Sequence, residues 1–207
     1  MEEIGLFPLG IVLLPTERIP LHIFEPRYKE LIDECLEEQS DFGLLYADAD
    51  GTREVGTRAR VTDVIDRLED GRLNVLVEGG DRFRVSRVTR GRSFLTAEVE
   101  PLLDEETAPA ATGPGSTAER AIDSFRALVA LAGAEPSDLD DASPQLSFEL
   151  AGQVELAPEA KQRLLEMRSE PERLALVAEL LDTVRTTMIA TRELNERAKQ
   201  NGSRLKP

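Results

Sequence analysis

Phe7-Pro8-Leu9-Gly10-Ile11-Val12-Leu13-Leu14-Pro15, followed after three residues by Ile19-Pro20-Leu21-His22-Ile23-Phe24-Glu25-Pro26-Arg27-Tyr28, is the stretch that decides the fold. It is apolar, and prolines at 8, 15, 20 and 26 exclude a continuous helix, because each lacks an N–H and restrains the residue before it. Short apolar strands with proline at an end or on an edge are what remains.

The pattern changes at Pro26, which suits the first position of a helix, where its missing N–H costs nothing. From there Tyr28, Leu31, Ile32, Cys35 and Leu36 recur at 3,4 spacing opposite Glu30, Asp33, Glu34, Glu37 and Glu38, which predicts an amphipathic helix ending near Gln39. Phe42–Ala47 reads as a strand and Asp48-Ala49-Asp50-Gly51 as a turn. Asp70-Gly71 between two β-like runs is a hairpin signal. Beyond it Leu73, Val75 and Val77 alternate with polar residues, as do Leu95, Ala97 and Val99. The alternation slips after Val85, predicting a bulge near Ser86, and Gly56, Gly79 and Gly80 are expected at strand ends or bends. Five or six short strands with one inserted helix imply an α+β protein with a closed or strongly coiled sheet.

The composition shifts at 104–117, DEETAPAATGPGST, whose prolines, glycines and small residues make a linker. The expected division is a β subdomain over 1–103, the linker, and a helical subdomain over 118–207. In the latter, Ala118–Ala132 carries Ile122, Phe125 and Val129 on one face and stops at Gly133. Ser143-Pro144 reads as an N-cap with proline at the first helical position, and Pro158 opens a short helix. Glu170 opens the longest one, whose Leu174, Val177, Leu181, Val184, Met188 and Thr191 form a coiled-coil-like seam able to pack internally or against a second copy; Gly202 ends it.

The chain has 207 residues and a net charge of −15, spread evenly: 13 basic and 21 acidic side chains in 1–103, 12 and 19 in the rest. That balance opposes non-specific binding to nucleic acid or acidic membranes. Cys35 is alone, so an internal disulfide is excluded. The acidic start Met1-Glu2-Glu3-Ile4 is unlike a secretory leader, and no apolar run approaches the roughly 20 residues of a membrane span. A cytoplasmic protein is expected.

Several blocks carry a resemblance. LFPLGIVLLPTERIPLHIFEPRY, EVGTRARVTDV, DGRLNVLVEGGDRFRV and FLTAEVEPL, followed by PEAKQRLLEM and a long helix, resemble the N-terminal, substrate-binding domain of the ATP-dependent protease Lon. The resemblance implies a PUA-like coiled antiparallel β-barrel subdomain with one inserted helix, followed by an α-helical bundle. It also implies a non-catalytic module that recognises unfolded or degron-bearing polypeptides, without cofactor, with an ATP-dependent protease as a further partner. The ATPase and peptidase modules of full Lon proteases lie outside the resemblance. No G-x-x-x-x-G-K-[ST] phosphate loop occurs; Gly79-Gly80 and Gly113/Gly115 lack its lysine. The expectation is a stand-alone member that binds without hydrolysing ATP or peptide.

His22, the only histidine, invites a metal reading with Glu25, but one imidazole and a remote cysteine fall short of a zinc site. Cys35 on the apolar helix face reads as core. Arg82, Arg84, Arg87, Arg90 and Arg92 form the densest basic tract. As a phosphate-contacting strip they would support the alternative reading, a PUA-like RNA- or small-molecule-binding module; otherwise they are solvent-facing strand positions paired with carboxylates on neighbouring strands. Few aromatics and net acidity oppose RNA. The first block carries more apolar residues than one strand face needs. An apolar groove or sheet edge taking an extended segment would use Leu9, Leu13, Leu21 and Phe24, with Arg27 and Tyr28 at the mouth of the helix.

Overall fold

A computed structural model describes residues 2–89, 92–105, 115–135 and 139–203, with side chains through residue 196. Most of the linker tract (106–114) and Arg90 lie outside the described residues. The order is β1 (Glu2–Leu9), β2 (Arg18–Ile23), α1 (Pro26–Glu38), β3 (Phe42–Asp48), β4 (Gly51–Arg67), β5 (Leu73–Thr89) and β6 (Leu95–Pro101), then α2 (Thr117–Ala132), α3 (Leu146–Gly152), α4 (Pro158–Glu166) and α5 (Glu170–Ser203).

The strands run β2-β5-β4-β3-β1-β6, and β6 also pairs with β5, which closes a ring of five strands. Closure depends on the length of β5. Its first part, Leu73–Glu78, pairs with β2, and its last part, Phe83–Thr89, pairs with β6, while β4 runs along its other edge. The expected short strands are therefore partly two 17-residue ones that coil through register shifts. The predicted bulge appears between Val85 and Arg87. One pairing is parallel, β1 with β3 (Leu6–Leu9 against Gly43–Tyr46). The reason is topological: α1 lies between β2 and β3 and carries the chain back to the same end, as a parallel connection requires. Gly79 and Gly80 lie inside β5, at the bend between its two partners, and not at a strand end.

Local chemistry explains the helix boundaries. Pro26 starts α1, and Gln39, in the left-handed conformation, stops it by donating its N–H to Cys35 O. Ser116 caps α2, its Oγ accepting from Glu119 N, and Gly133 at φ 72° ends it. Around Ser143-Pro144 the expectation is off by two residues. The Ser143 hydroxyl accepts from Gln145 N, so these residues form the turn before α3, which begins at Leu146. In α5, Leu174, Val177 and Leu181 are buried, Val184 and Met188 are half-buried, and everything from Ile189 to Glu196 is exposed. At about 1.5 Å per residue, this helix of 34 residues outruns the bundle it packs on.

The apolar excess of the first block is resolved by burial in two directions. Phe7, Leu13, Leu21 and Ile23 enter the core between the sheet and α1, with Tyr28, Leu31, Ile32, Phe42, Leu73, Val75 and Val77. Val12 and Leu14, flanking Leu13, point the other way and join Tyr46, Val55 and the helices. A third cluster, around Phe83, fills the barrel.

Polar contacts tie the helices to the barrel. Arg82, on β5, is buried and donates to the carbonyls of Leu165 (2.8 Å) and Met167 (2.6 Å) and to Asp104. Arg173, on α5, is fully buried and donates to both Asp104 oxygens (2.7 and 2.6 Å), Glu170 (2.6 Å), Ser147 (3.1 Å) and Met167 O (2.9 Å). Both guanidiniums lie over the Phe148 ring, at 5.3 and 4.5 Å. The first residue of the supposed linker is thus a clamped carboxylate.

That clamp sets a pH dependence. Burial raises the Asp104 carboxyl, but the hydrogen bond and charge of Arg173, with Arg82 beside it, outweigh burial and hold it below the usual range. Glu170 moves the opposite way, burial prevailing over its bonds from Ser147 and Arg173. A lowered carboxyl contributes stability above its unfolded pKa and loses it as pH falls through its folded value; a raised one opposes that trend. Lowered Glu3, Asp70 and Glu98 act in the same sense as Asp104. Urea midpoints followed from neutrality into acid are expected to fall below about pH 4. Asp104→Asn should start less stable and fall less steeply; an acid limb as steep as the parent's would remove Asp104 from this account.

Candidate functional site

The register of β2, β5 and β4 sorts their side chains onto two faces, because residues directly opposite each other in an antiparallel pair point the same way. Ile23–Leu73, Leu21–Val75–Val64 and Ile19–Val77–Val61 line up on the inner face, over α1 and the core. The outer face carries three rows: His22–Asn74–Asp66, Pro20–Leu76–Asp63 and Arg18–Glu78–Arg60. Two bulges in β4, between Val61 and Asp63 and between Val64 and Asp66, bring both aspartates to this face and leave Thr62 and Ile65 as the extra residues.

His22, Pro20, Asp63 and Asp66 on this face are exposed, and Leu76 and Asn74 are half-buried. His22 Nδ1 lies 2.6 Å from Asn74 Oδ1, and its ring stacks on Phe24 at 6.0 Å. Phe24 is 59% exposed and Ile65 56%. The third row is electrically closed: Arg18 pairs with Glu78 at 2.6 Å and Arg60 with Asp41 at 2.8 Å. Strand β2 terminates the sheet, pairing with β5 alone.

The six residues singled out in the sequence separate here. Phe24 and Arg27 are exposed beside one another in the chain. Arg27 pairs with Glu25 (2.8 Å) and lies 4.5 Å over the Tyr28 ring. Tyr28 itself is buried, stacked on Phe7 at 3.9 Å, and burial pushes its hydroxyl up. Leu13 and Leu21 are core residues, and Leu9 is half-buried against the same cluster. Three of the six therefore support the surface from beneath. Pro20, His22, Leu76, Asp63 and Asp66 were not singled out for this surface, His22 having been weighed only as a metal ligand. Alternation could have flagged the first three, whereas the bulges that turn the aspartates outward leave no mark in the pattern.

The arginine tract is largely neutralised by carboxylates. Arg84 lies 3.6 Å from Glu54, Arg87 pairs with its cross-strand neighbour Glu98, and Arg92 lies 2.5 Å from Glu34. Arg82 departs from the solvent-facing expectation, since its side of β5 is covered by the turn between α4 and α5. Cys35 is buried, and desolvation with nearby carboxylates raises its thiol against a hydrogen bond from Ser40. A recess of about 440 Å³ between α1, β1 and β4 includes Cys35, but its arginines are already paired: Arg58 with Glu2, Arg60 with Asp41, Arg92 with Glu34. Among the described residues no three His, Cys, Asp or Glu side chains converge as metal ligands, and no helix is long and apolar enough to cross a membrane.

A coiled barrel with one inserted helix, a helical bundle docked on it and an uncovered sheet face of mixed apolar and polar side chains define an α+β domain of one recognisable class. The chain matches the model of the ATP-dependent protease La (LON) substrate-binding domain over residues 3–183 and belongs to that family. Its fold is similar to the Lon N-terminal domain protein from Xanthomonas campestris, with a TM-score of 0.65 and 28% identity over 84% of this chain and 95% of that one. The N-terminal domain of a Mycobacterium avium complex Lon protease shares the fold at 16% identity, also with a TM-score of 0.65, over 87% of this chain and 98% of that one. The Lon protease of Paraburkholderia phytofirmans is 28% identical over 99% of this chain and 27% of its own length. Lon protease 2 of Syntrophobacter fumaroxidans is 26% identical over 80% of this chain and 22% of its own length. The chain spans about a quarter of the curated relatives it matches.

Proposed function

We propose that this domain recognises extended segments of unfolded polypeptide on the outer face of β2, β5 and β4, with Phe24 and Arg27 at its rim, and leaves their cleavage to other machinery. The observation that carries the reading is the uncovered Phe24–His22 stack beside Pro20 and Leu76. An exposed aromatic pair continuous with apolar strand positions is a surface that gains by covering. Membership in a family described as a protease substrate-binding domain supports the same reading. The paired arginines favour it over RNA, which needs free cations.

Recognition uses the face more than the edge. Pro20 in the terminal strand has no N–H, so a strand added to β2 would lack one ladder bond, a feature that also discourages self-pairing. Leu13, Leu21 and Tyr28 hold the face rigid, and Leu9 supports them. In this reading an ATP-dependent protease is the destination of the bound chain and the setting is cytoplasmic. The exposed stretch of α5 from Ile189 to Glu196 is available for a second copy.

The test is fluorescence anisotropy with a labelled, unstructured apolar peptide. Phe24→Ala is expected to weaken binding about tenfold, while leaving the urea midpoint nearly unchanged, because an exposed side chain contributes little to folding. Unaltered affinity in the double variant Phe24→Asp/Leu76→Asp would overturn the proposal. So would degradation of casein by the purified chain alone.

A further inference from the structure

We infer that the outer sheet face selects segments in which an apolar side chain lies two to four residues, in either direction, from lysine or arginine. This rests on the reading above and concerns the chemistry of what is bound. Along the β2 and β5 side the face presents no unpaired carboxylate: Phe24, His22, Pro20 and Leu76, then Arg18 already held by Glu78. Along β4 it presents Asp63 and Asp66, both exposed, with no ion pair or hydrogen bond to either side chain among the described residues. Most other carboxylates around the face are taken: Glu78 by Arg18, Asp41 by Arg60, Asp70 by Arg72 at 2.7 Å and Glu25 by Arg27.

Geometry fixes the spacing. Neighbouring strands lie about 4.8 Å apart, so the aspartates are about 10 Å across the sheet from Pro20. An extended peptide advances about 3.3 Å per residue. A segment with its apolar anchor over Pro20 and Leu76 therefore brings a residue two to four positions away over Asp63 and Asp66. Lysine or arginine there gains two free carboxylates, and glutamate or aspartate there is repelled. Glu69, exposed on the β4–β5 turn, adds to the same sign.

The experiment compares three labelled peptides sharing one apolar core and carrying lysine, glutamine or glutamate three positions from it. At low ionic strength the lysine peptide is expected to bind about fivefold tighter than the glutamate peptide, the scale of two exposed charge contacts. The gap should close near 1 M salt. Asp63→Asn/Asp66→Asn should abolish the discrimination, so that the three peptides bind this variant alike. The control Asp123→Asn/Glu155→Gln removes the same charge elsewhere and should keep it. Discrimination surviving Asp63→Asn/Asp66→Asn would assign the preference to net charge and overturn the inference. Equal binding of all three peptides, still weakened by Phe24→Ala, would overturn it and leave the proposed function standing. Binding of none would overturn both.

Discussion

Arg173→Met is expected to lower the unfolding free energy by about 3–5 kcal/mol, the cost of removing one partner from a buried ionic network. Arg173 has no exposed surface and makes bonds to Asp104, Glu170, Ser147 and Met167 O. Methionine fills much of the volume, so the loss is mainly electrostatic. Glu170 is left desolvated with only Ser147 to support it, and Asp104 keeps Arg82 alone. Urea denaturation should show a lowered midpoint with an unchanged slope. Adding Glu170→Gln to the variant should recover part of the loss, since the orphaned charge goes with it. A midpoint equal to the parent's would mean the network contributes only geometry.

Gly79→Ala is the second large effect, expected to cost about 3 kcal/mol or more, at the upper end of overpacking. A Cβ at position 79 would lie 2.1 Å from Leu14 O and 2.9 Å from Leu14 C. Both are backbone atoms of the segment that crosses β5, which is pinned there by Gly79 N to Glu17 O (2.9 Å) and Thr16 N to Gly79 O (2.8 Å). No side chain can turn aside to make room. Displacing Leu14 would also pull Leu13 and Leu14 from two separate cores. Gly80→Ala is the internal control: its nearest contact would be Arg58 O at 3.6 Å, an ordinary van der Waals distance. It should change stability by less than about 1 kcal/mol, as surface substitutions do. Thermal or urea unfolding of the two variants checks the contrast, and equal losses would refute the crossing as its cause.

Features written in contiguous residues were legible from the sequence. Helix α1 follows from Pro26 and a 3,4 apolar repeat, and α2 from its apolar face and its stop at Gly133, although its cap Ser116 was read as linker. The Asp70-Gly71 turn and the slip after Val85 were equally plain. Phe24 and Arg27, the exposed pair at the rim, were singled out for their residue types. Their neighbours Leu13, Leu21 and Tyr28 carry the same types, and only burial distinguishes them. Ser143-Pro144 misled because its hydroxyl closes a turn one step before the helix begins.

By itself the sequence determined the α+β class, the place of most helices and the supply of apolar residues in the first block, because each depends on near neighbours along the chain. The tertiary structure alone decided which of those residues face outward, that β5 bridges β2 and β6 to close the ring, and that Arg82, Asp104 and Arg173 meet. Those outcomes come from contacts between residues up to 69 positions apart in the numbering, and from bulges that reset the facing of β4. Local periodicity holds no record of either, because a single extra residue in a strand reverses every side chain after it.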